Sequence, residues 1–339
     1  MALTRTRCRR PGARLLAAAL AAASSSALGD PGILLLPAIG RPTQVTVAGR
    51  VLRDAPTSGS STLSKNLRRL AAPSWTGAPV EVRFEGRRAR TTSGDDGTFE
   101  VSFPAPSDRG FSPGLHPVAA QVPGAAAEAS VDVIADGAPF LVISDFDDTV
   151  AVSQVTKASG LIASALLEDS DTQPAVAGMA ALYRCLRDGK PSSPGFAFVS
   201  GSPVQFSGRM QGFFAKNQFP FGGLYLRELG PGTISNYKQP VIRRLLAQLP
   251  ERVLLFGDSG EHDPEVYAQI RAEFPDRVLD VFIRDVTSGA KPERFEGAVR
   301  FTDAADAARI AAGRGYADAA CVARSFPPPD AGSPAGPPK

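Results

Sequence analysis

Three carboxylates, Asp145, Asp147 and Asp148, fall within four positions of the segment Leu-Val-Ile-Ser-Asp-Phe-Asp-Asp-Thr-Val that spans 141–150. An apolar run of strand length leads straight into them. Acids crowded at the end of a buried strand repel one another and lose hydration, a cost that a cation or bound protons must offset. A hard metal ion such as Mg²⁺ takes oxygen ligands of this kind. The spacing also separates two duties. Asp145 and Asp147 lie two residues apart on one face of an extended chain, so one carboxylate can act as nucleophile and the other as acid and base.

Three more features follow in order, each expected at the end of a strand or helix. In Ser200-Gly201-Ser202-Pro203 a strand breaks into a turn with a hydroxyl at its tip. Lys238 opens an expected helix. Gly257-Asp258-Ser259-Gly260-Glu261-His262-Asp263 follows another apolar strand. Phosphoryl transfer needs parts of these types. A nucleophile attacks phosphorus in line, while a metal, a lysine and hydrogen-bond donors neutralise the equatorial oxygens. The leaving oxygen needs a proton, and the incoming water needs a base.

The surrounding chain must hold these ends together. Residues 28–137 read as β structure. Apolar and polar residues alternate over 45–52 and 80–84, Gly94-Asp95-Asp96-Gly97 marks a turn, and 98–103, 117–122 and 129–134 supply further strands. This pattern predicts a small β-sandwich, with a Ser/Thr/Gly-rich loop at 57–63. From 138 the texture changes. Strands at 140–144, 196–200, 224–226, 253–257 and 278–283 alternate with amphipathic helices at 176–187 and 239–248. That order predicts an α/β fold, a three-layer Rossmann-like parallel sheet covered on both faces. Ligands bind outside the carboxyl ends of such strands. The domain runs to 322, and a proline-rich tail expected to be disordered follows at 323–339.

The chain has 339 residues, 43% hydrophobic and 21% charged, as expected for globular domains. Residues 1–27 read as a secretory signal peptide: five arginines, an apolar stretch over 15–23 and a cleavage point after Ala27. The Arg9-Arg10 pair fits a twin-arginine signal poorly, because Pro11 and Gly12 follow it. The apolar stretch is too short to span a membrane. Removing the leader removes five arginines and no acids, so the net charge goes from +3 to 3 − 5 = −2. Nucleic-acid binding thereby loses its electrostatic basis. The expected location is secreted or periplasmic. Cys185 and Cys321 either pair there or stay as two buried thiols. No zinc spacing occurs.

The linked motifs resemble the haloacid dehalogenase superfamily, which places an Asp-x-Asp-x-Thr loop, a Ser/Thr, a Lys and a late acidic loop in this order. Asp-Phe-Asp-Asp-Thr, Val-Ser-Gly-Ser-Pro, Leu-Tyr-Leu-Arg, Gly-Asp-Ser-Gly-Glu-His-Asp-Pro-Glu-Val-Tyr and Phe-Ile-Arg-Asp-Val are similar to the catalytic domain of the actin-patch-associated phosphatidate phosphatase family and its bacterial relatives, over roughly residues 138–315. The resemblance implies a phosphoric monoester hydrolase that uses Mg²⁺ and an aspartyl-phosphate. It makes Asp145 the nucleophile, Asp147 the acid and base with its backbone carbonyl at the metal, and Ser200 a phosphate ligand. Lys238 would neutralise nucleophile and phosphate, and Thr149, Gly201 and Ser202 would line the phosphate site. Asp258 would ligate the metal, and Asp263 would hold water around it. Val204 departs from the pattern, which has an aromatic there in many relatives. The implied substrate is phosphatidate or a related lipid phosphate, with peripheral membrane contact. Only 50 residues separate Thr149 from Ser200 and 37 separate Ser200 from Lys238. Neither gap has room for a large cap, which suits a bulky substrate.

Plainer readings stand beside these. Asp148 is either a first-turn acid at a helix dipole or part of the metal site. His262 reads as a partner orienting its loop, Glu261 as a substitute for Asp263, and Arg227 and Arg284 as structural ion-pair residues. The Gly-Asp-Ser-Gly string at 257–260 looks like a trypsin-type serine, but the two histidines, His116 and His262, do not supply a base in the expected place. A secreted, non-catalytic binding protein and a phosphatase of soluble or protein phosphoesters are the alternatives. Intact acids argue against the first.

Overall fold

A computed structural model describes residues 30–54, 71–106, 109–152, 173–190, 192–227, 234–287 and 291–328. The expected leader, the loop at 57–63 and most of the tail lie outside the described residues.

Among the described residues, eight strands make two sheets before residue 137. Strands β1 (Gly32–Leu35), β3 (Gln44–Leu52) and β6 (Thr98–Pro104) form an antiparallel three-stranded sheet in the order β1-β3-β6. The second sheet runs β2 (Ala38–Gly40), β8 (Ala125–Val133), β7 (Gly114–Val122), β4 (Pro79–Phe84), β5 (Arg87–Thr92). Period-2 alternation puts Val45, Val47 and Val51 of one sheet and Val80, Val82 and Phe84 of the other into a single apolar cluster. Strand β5 escaped the sequence reading because Arg-Arg-Ala-Arg-Thr-Thr has no apolar face. It is an edge strand, and it is defined by the tight turn at Glu85 and Gly86, both at positive φ (47° and 70°).

The remaining strands form one six-stranded sheet, parallel throughout, in the order β11 (Gly223–Arg227), β10 (Gly195–Pro203), β9 (Leu141–Ser144), β12 (Val253–Asp258), β13 (Val278–Arg284), β14 (Val299–Phe301). Continuous apolar runs form these strands because both faces are buried. Val142, Phe196, Phe198, Leu254 and Phe256 point to one side. There they meet helices α1 (Met179–Arg187), α2 (Ser207–Lys216), α5 (Ala304–Gly313) and α6 (Ala319–Ser325). Leu141, Ile143, Ala197, Val199 and Leu255 point to the other, against α3 (Ile234–Gln248) and α4 (Asp263–Glu273). The molecule is thus mixed α/β, with one parallel and two mainly antiparallel sheets.

Two helix starts differ from expectation. Helix α1 begins at Met179, because Gly178 at φ 79° cannot continue a right-handed turn. Helix α3 begins at Ile234, so Lys238 is its fifth residue and does not open it. Pro240 inside the helix, a residue that normally starts or breaks one, misplaced the boundary.

Chain order matters more than strand count. From β9 the chain moves outward to β10 and β11, then returns to the other side of β9 for β12. The point of reversal, between β9 and β12, is where a parallel sheet opens a crevice at its carboxyl end.

Candidate active site

Register brings the motifs together. Phe198, Ser144 and Phe256 lie side by side across β10, β9 and β12. The residues immediately after each, Val199-Ser200, Asp145-Phe146-Asp147 and Gly257-Asp258, therefore emerge at the same end of the sheet. Lys238 reaches that end from α3 and Asp263 from the first position of α4.

The acids and the lysine form one buried cluster. Lys238 Nζ is 2.8 Å from Asp145 Oδ1, 2.5 Å from Asp263 Oδ1 and 3.5 Å from Glu261 Oε2. Asp145, Asp258 and Asp263 are each at most 2% exposed, and one carboxylate oxygen from each lies within 4.8 Å of the others. Burial pushes the Asp145 carboxyl well above its usual range; Lys238 pulls it down but does not win against burial and the neighbouring acids. Asp258 is raised for the same first reason, burial, with Asp263 adding to it. Burial would lower Lys238, but Asp145, Asp263 and Glu261 outweigh it and hold the ammonium well above its ordinary value.

One ammonium does not satisfy four carboxylates. Asp258 Oδ1 accepts from Gly260 N at 2.6 Å, while its Oδ2 is buried with no hydrogen-bond partner, as is Glu261 Oε1. A buried carboxylate oxygen without a donor is costly. The trio could hold a hard divalent cation, and the orphaned oxygen of Asp258 fits one. Gly257 keeps the space tight: a Cβ there would come within 2.5 Å of Asp263 Oδ2.

Asp147 belongs to a second group. Its Oδ2 accepts from Ser200 Oγ at 3.3 Å and from Ser202 Oγ at 3.2 Å, and Ser202 N donates to Ser200 Oγ at 3.0 Å. Burial raises the Asp147 carboxyl, against the pull of Arg209 and Lys238, so it holds a proton more readily than an exposed aspartate. The buried Thr149 hydroxyl is 3.4 Å from Asp145 Oδ2, to which it donates. All the residues singled out as catalytic, phosphate-lining or metal-binding thus gather at this one end of the sheet.

The supporting residues differ from expectation. Asp148 does not start a helix: it sits in a turn at φ 54°, and its N–H donates to Ala151 O at 2.8 Å. Arg284 and Arg227 each hold a loop carbonyl. Arg284 Nη1 donates to Asp148 O at 2.6 Å, and Arg227 Nε to Gly201 O at 3.1 Å. His262 is exposed and its side chain caps nothing, so it does not orient the acidic loop. Arg294 does, donating to Ser259 O at 2.7 Å and Glu261 O at 2.6 Å. Sequence reasoning missed Arg294, which stands 31 residues after Asp263 in no motif. The Ser259 hydroxyl donates to Asp285 Oδ1 at 2.9 Å, an anchoring contact rather than a nucleophile beside a base.

Cys185 on α1 and Cys321 on α6 form a disulfide, with Cα atoms 5.4 Å apart. No helix among the described residues is long and apolar enough to cross a membrane.

Comparison with known proteins finds two relatives and a matching family model. An uncharacterized protein of Schizosaccharomyces pombe is 32% identical over 157 residues, which is 43% of this chain and 25% of that protein. Phosphatidate phosphatase APP1 of Saccharomyces cerevisiae is 30% identical over 151 residues, 42% of this chain and again 25% of the relative. The matched region spans a quarter of the length of either relative. A crystal structure described as a novel carbohydrate acetylesterase from Xanthomonas citri is 15% identical with a TM-score of 0.33, covering 78% of this chain and 67% of that one, and bears on neither fold nor function. Residues 140–285, which hold every acid, serine and lysine of the cluster, match the family model described as phosphatidate phosphatase APP1, catalytic domain.

Proposed function

We propose that this protein is a Mg²⁺-dependent phosphatase of haloacid dehalogenase type that hydrolyses a phosphomonoester through an aspartyl-phosphate on Asp145. Phosphatidate or a related lipid phosphate is the leading substrate. In this reading the parallel sheet carries the chemistry and the two N-terminal sheets are a small β-sandwich joined to it. The observation that carries the proposal is the buried trio Asp145, Asp258 and Asp263, bridged by one lysine and left with an orphaned carboxylate oxygen.

The residues divide the work as follows. Asp145, Asp258 and Asp263, with the backbone carbonyl of Asp147 as the resemblance implies, would hold a Mg²⁺, which would supply positive charge against the phosphate oxygens. Lys238 holds the Asp145 carboxylate in place and offers its remaining charge to the phosphoryl group. Asp145 attacks phosphorus, and the P–O bond to the alcohol breaks. Asp147, whose raised affinity for a proton suits a general acid, protonates the departing alkoxide. The resulting Asp147 carboxylate then takes a proton from water, whose oxygen attacks phosphorus and releases phosphate and Asp145. Ser200 and Ser202 fix Asp147 before substrate arrives and can turn to phosphate oxygens when it does.

Lipid phosphate is favoured by the family match and by the short segments between motifs. A secreted or periplasmic location is supported by the disulfide, since such bonds persist in oxidising compartments. Thiol titration of the denatured, exported protein should find no free thiol from Cys185 or Cys321; two thiols per chain would remove that support.

The decisive assay compares phosphatidate, soluble phosphoesters and phosphopeptides with the mature protein in Mg²⁺ or EDTA. Asp145→Asn should cut kcat on the order of 10⁴-fold without changing the circular dichroism spectrum. Turnover that survives both EDTA and Asp145→Asn would refute the mechanism. Lipid turnover no better than that of soluble esters would remove the lipid assignment.

A further inference from the structure

Two buried tyrosines take no part in the chemistry above, yet both reach the strand end that carries Asp145. Tyr183 of α1 and Tyr267 of α4 are each at most 1% exposed and come from opposite faces of the parallel sheet. The Tyr183 ring packs against Phe196, Phe198, Phe219 and Phe256, with centroids 5.3 to 6.3 Å apart. A phenylalanine would fill that space without the cost of burying a hydroxyl. Burial pushes both phenols up from the ordinary tyrosine range, so each keeps its proton and can donate it.

Their partners lie on either side of one residue. Ser144 Oγ donates its single hydrogen to Asp145 O at 2.6 Å, so the 2.7 Å contact between Tyr183 Oη and Ser144 Oγ is a donation from the tyrosine. On the other side, Asp145 N donates to Phe256 O at 2.9 Å, and Tyr267 Oη donates to that same carbonyl, also at 2.9 Å. Both main-chain polar groups of Asp145 are thus tied, and each tie ends on a tyrosine hydroxyl.

The Asp145 carboxylate needs such holding. Asp263, Asp258 and Glu261 repel it, and it shares Lys238 with two of those acids. An in-line nucleophile tolerates little misplacement: an ångström costs on the order of a hundredfold in rate. We propose that Tyr183, through Ser144, and Tyr267, through the Phe256 carbonyl, are positioning residues that clamp the main chain of Asp145 and so aim its carboxylate at phosphorus. Both are sealed in the core and act only through these contacts. The proposal deepens the phosphatase reading of this site and rests on it.

The test measures kcat and KM for p-nitrophenyl phosphate with Mg²⁺, using the mature protein, Tyr183→Phe, Tyr267→Phe, Ser144→Ala and the double variant Ser144→Ala/Tyr183→Phe. The tyrosine variants keep their rings, and melting checks that every variant is folded at the assay temperature. In each tyrosine variant kcat should fall about tenfold. KM should stay within about twofold of the parent, because the lost contact is felt at the nucleophile and not by bound substrate. Tyr183 acts through Ser144, so the double variant should be no slower than Ser144→Ala alone; groups in one network do not add. A kcat within about twofold of the parent in either tyrosine variant overturns the clamp. So does a loss carried by KM. So does a double variant in which the two single losses multiply, which would make Tyr183 a core side chain independent of Ser144. All three results leave the phosphatase reading standing. Failure of the parent to hydrolyse p-nitrophenyl phosphate would instead bring down that reading, and this proposal with it.

Discussion

Neighbouring strands β12 and β13 each bear buried acids, and the two sets are furnished in opposite ways. On β13, Asp280 is 5% exposed and is gripped by Arg314 and, at 3.7 Å, by Arg271. Just past the strand, Asp285 accepts from Arg300 Nε at 2.9 Å and from Ser259 Oγ at 2.9 Å. Burial pushes Asp285 up, but the hydrogen bonds from Arg300 and Ser259 outweigh it and hold the carboxyl below its ordinary value. On β12, Asp258 has one backbone N–H and a bare oxygen, and its neighbours Asp263, Glu261 and Asp145 share a single lysine. Acids that hold the fold are matched by guanidinium groups, whose fork satisfies both carboxylate oxygens. Acids at the crevice are left short of positive charge, which destabilises them and suits them to a ligand that brings it.

The contrast can be broken by exchanging one acid on each strand. Asp258→Asn should lower turnover roughly 10³-fold or more, as expected when an electrostatic partner of the transition state is lost. In EDTA it should raise Tm, because a buried like charge is gone. Asp280→Asn should do the reverse, losing about 2 kcal/mol by leaving arginines without their anion while retaining turnover. Calorimetry and steady-state kinetics on the two variants check this; a destabilised Asp258→Asn would erase the distinction.

A smaller effect sharpens it. Asp145, Asp258 and Glu261 have folded-state pKa values raised by burial. At these three groups the folded state thus binds more protons than the unfolded one, so their contribution to metal-free stability is greatest below the ordinary carboxylate range and declines as pH rises through the raised values. Mg²⁺ competes with those protons. The rise in Tm that it produces should therefore grow with pH from acid to neutral, and Asp258→Asn should flatten that dependence. A Mg²⁺ shift independent of pH would show that the acids are already ionised without the ion.

Much of the candidate site could be read in the chain because its parts are local. Asp145 and Asp147 sit in a five-residue string, Ser200 and Ser202 in another, Asp258 and Asp263 in a third, and each string follows an apolar strand. The N-terminal strands with clear alternation were visible too, whereas the arginine-rich β5 was hidden because an exposed edge strand needs no apolar face. Residues acting across the chain were illegible. Arg284 bonds a carbonyl 136 positions earlier and Arg294 one 35 positions earlier, whereas the Cys185–Cys321 pair, 136 residues apart, was one of two readings the sequence left open. The hydroxyls of Tyr183 and Tyr267 had no visible partner until the fold set Ser144 and Phe256 beside them.

By itself, then, the amino-acid order determined the alternation of strands and helices after residue 138 and the kinds of functional group that emerge where strands stop. Those properties depend on side-chain periodicity and on the few residues around each break. Tertiary structure alone decided which groups share a charge, which arginines serve loops rather than substrate, and which carboxylate oxygen goes unpaired. Such outcomes depend on the lateral register of β10, β9 and β12 and on the helices packed over them. A hydrogen bond or ion pair is made or lost within about an ångström, a distance that no spacing along the chain encodes.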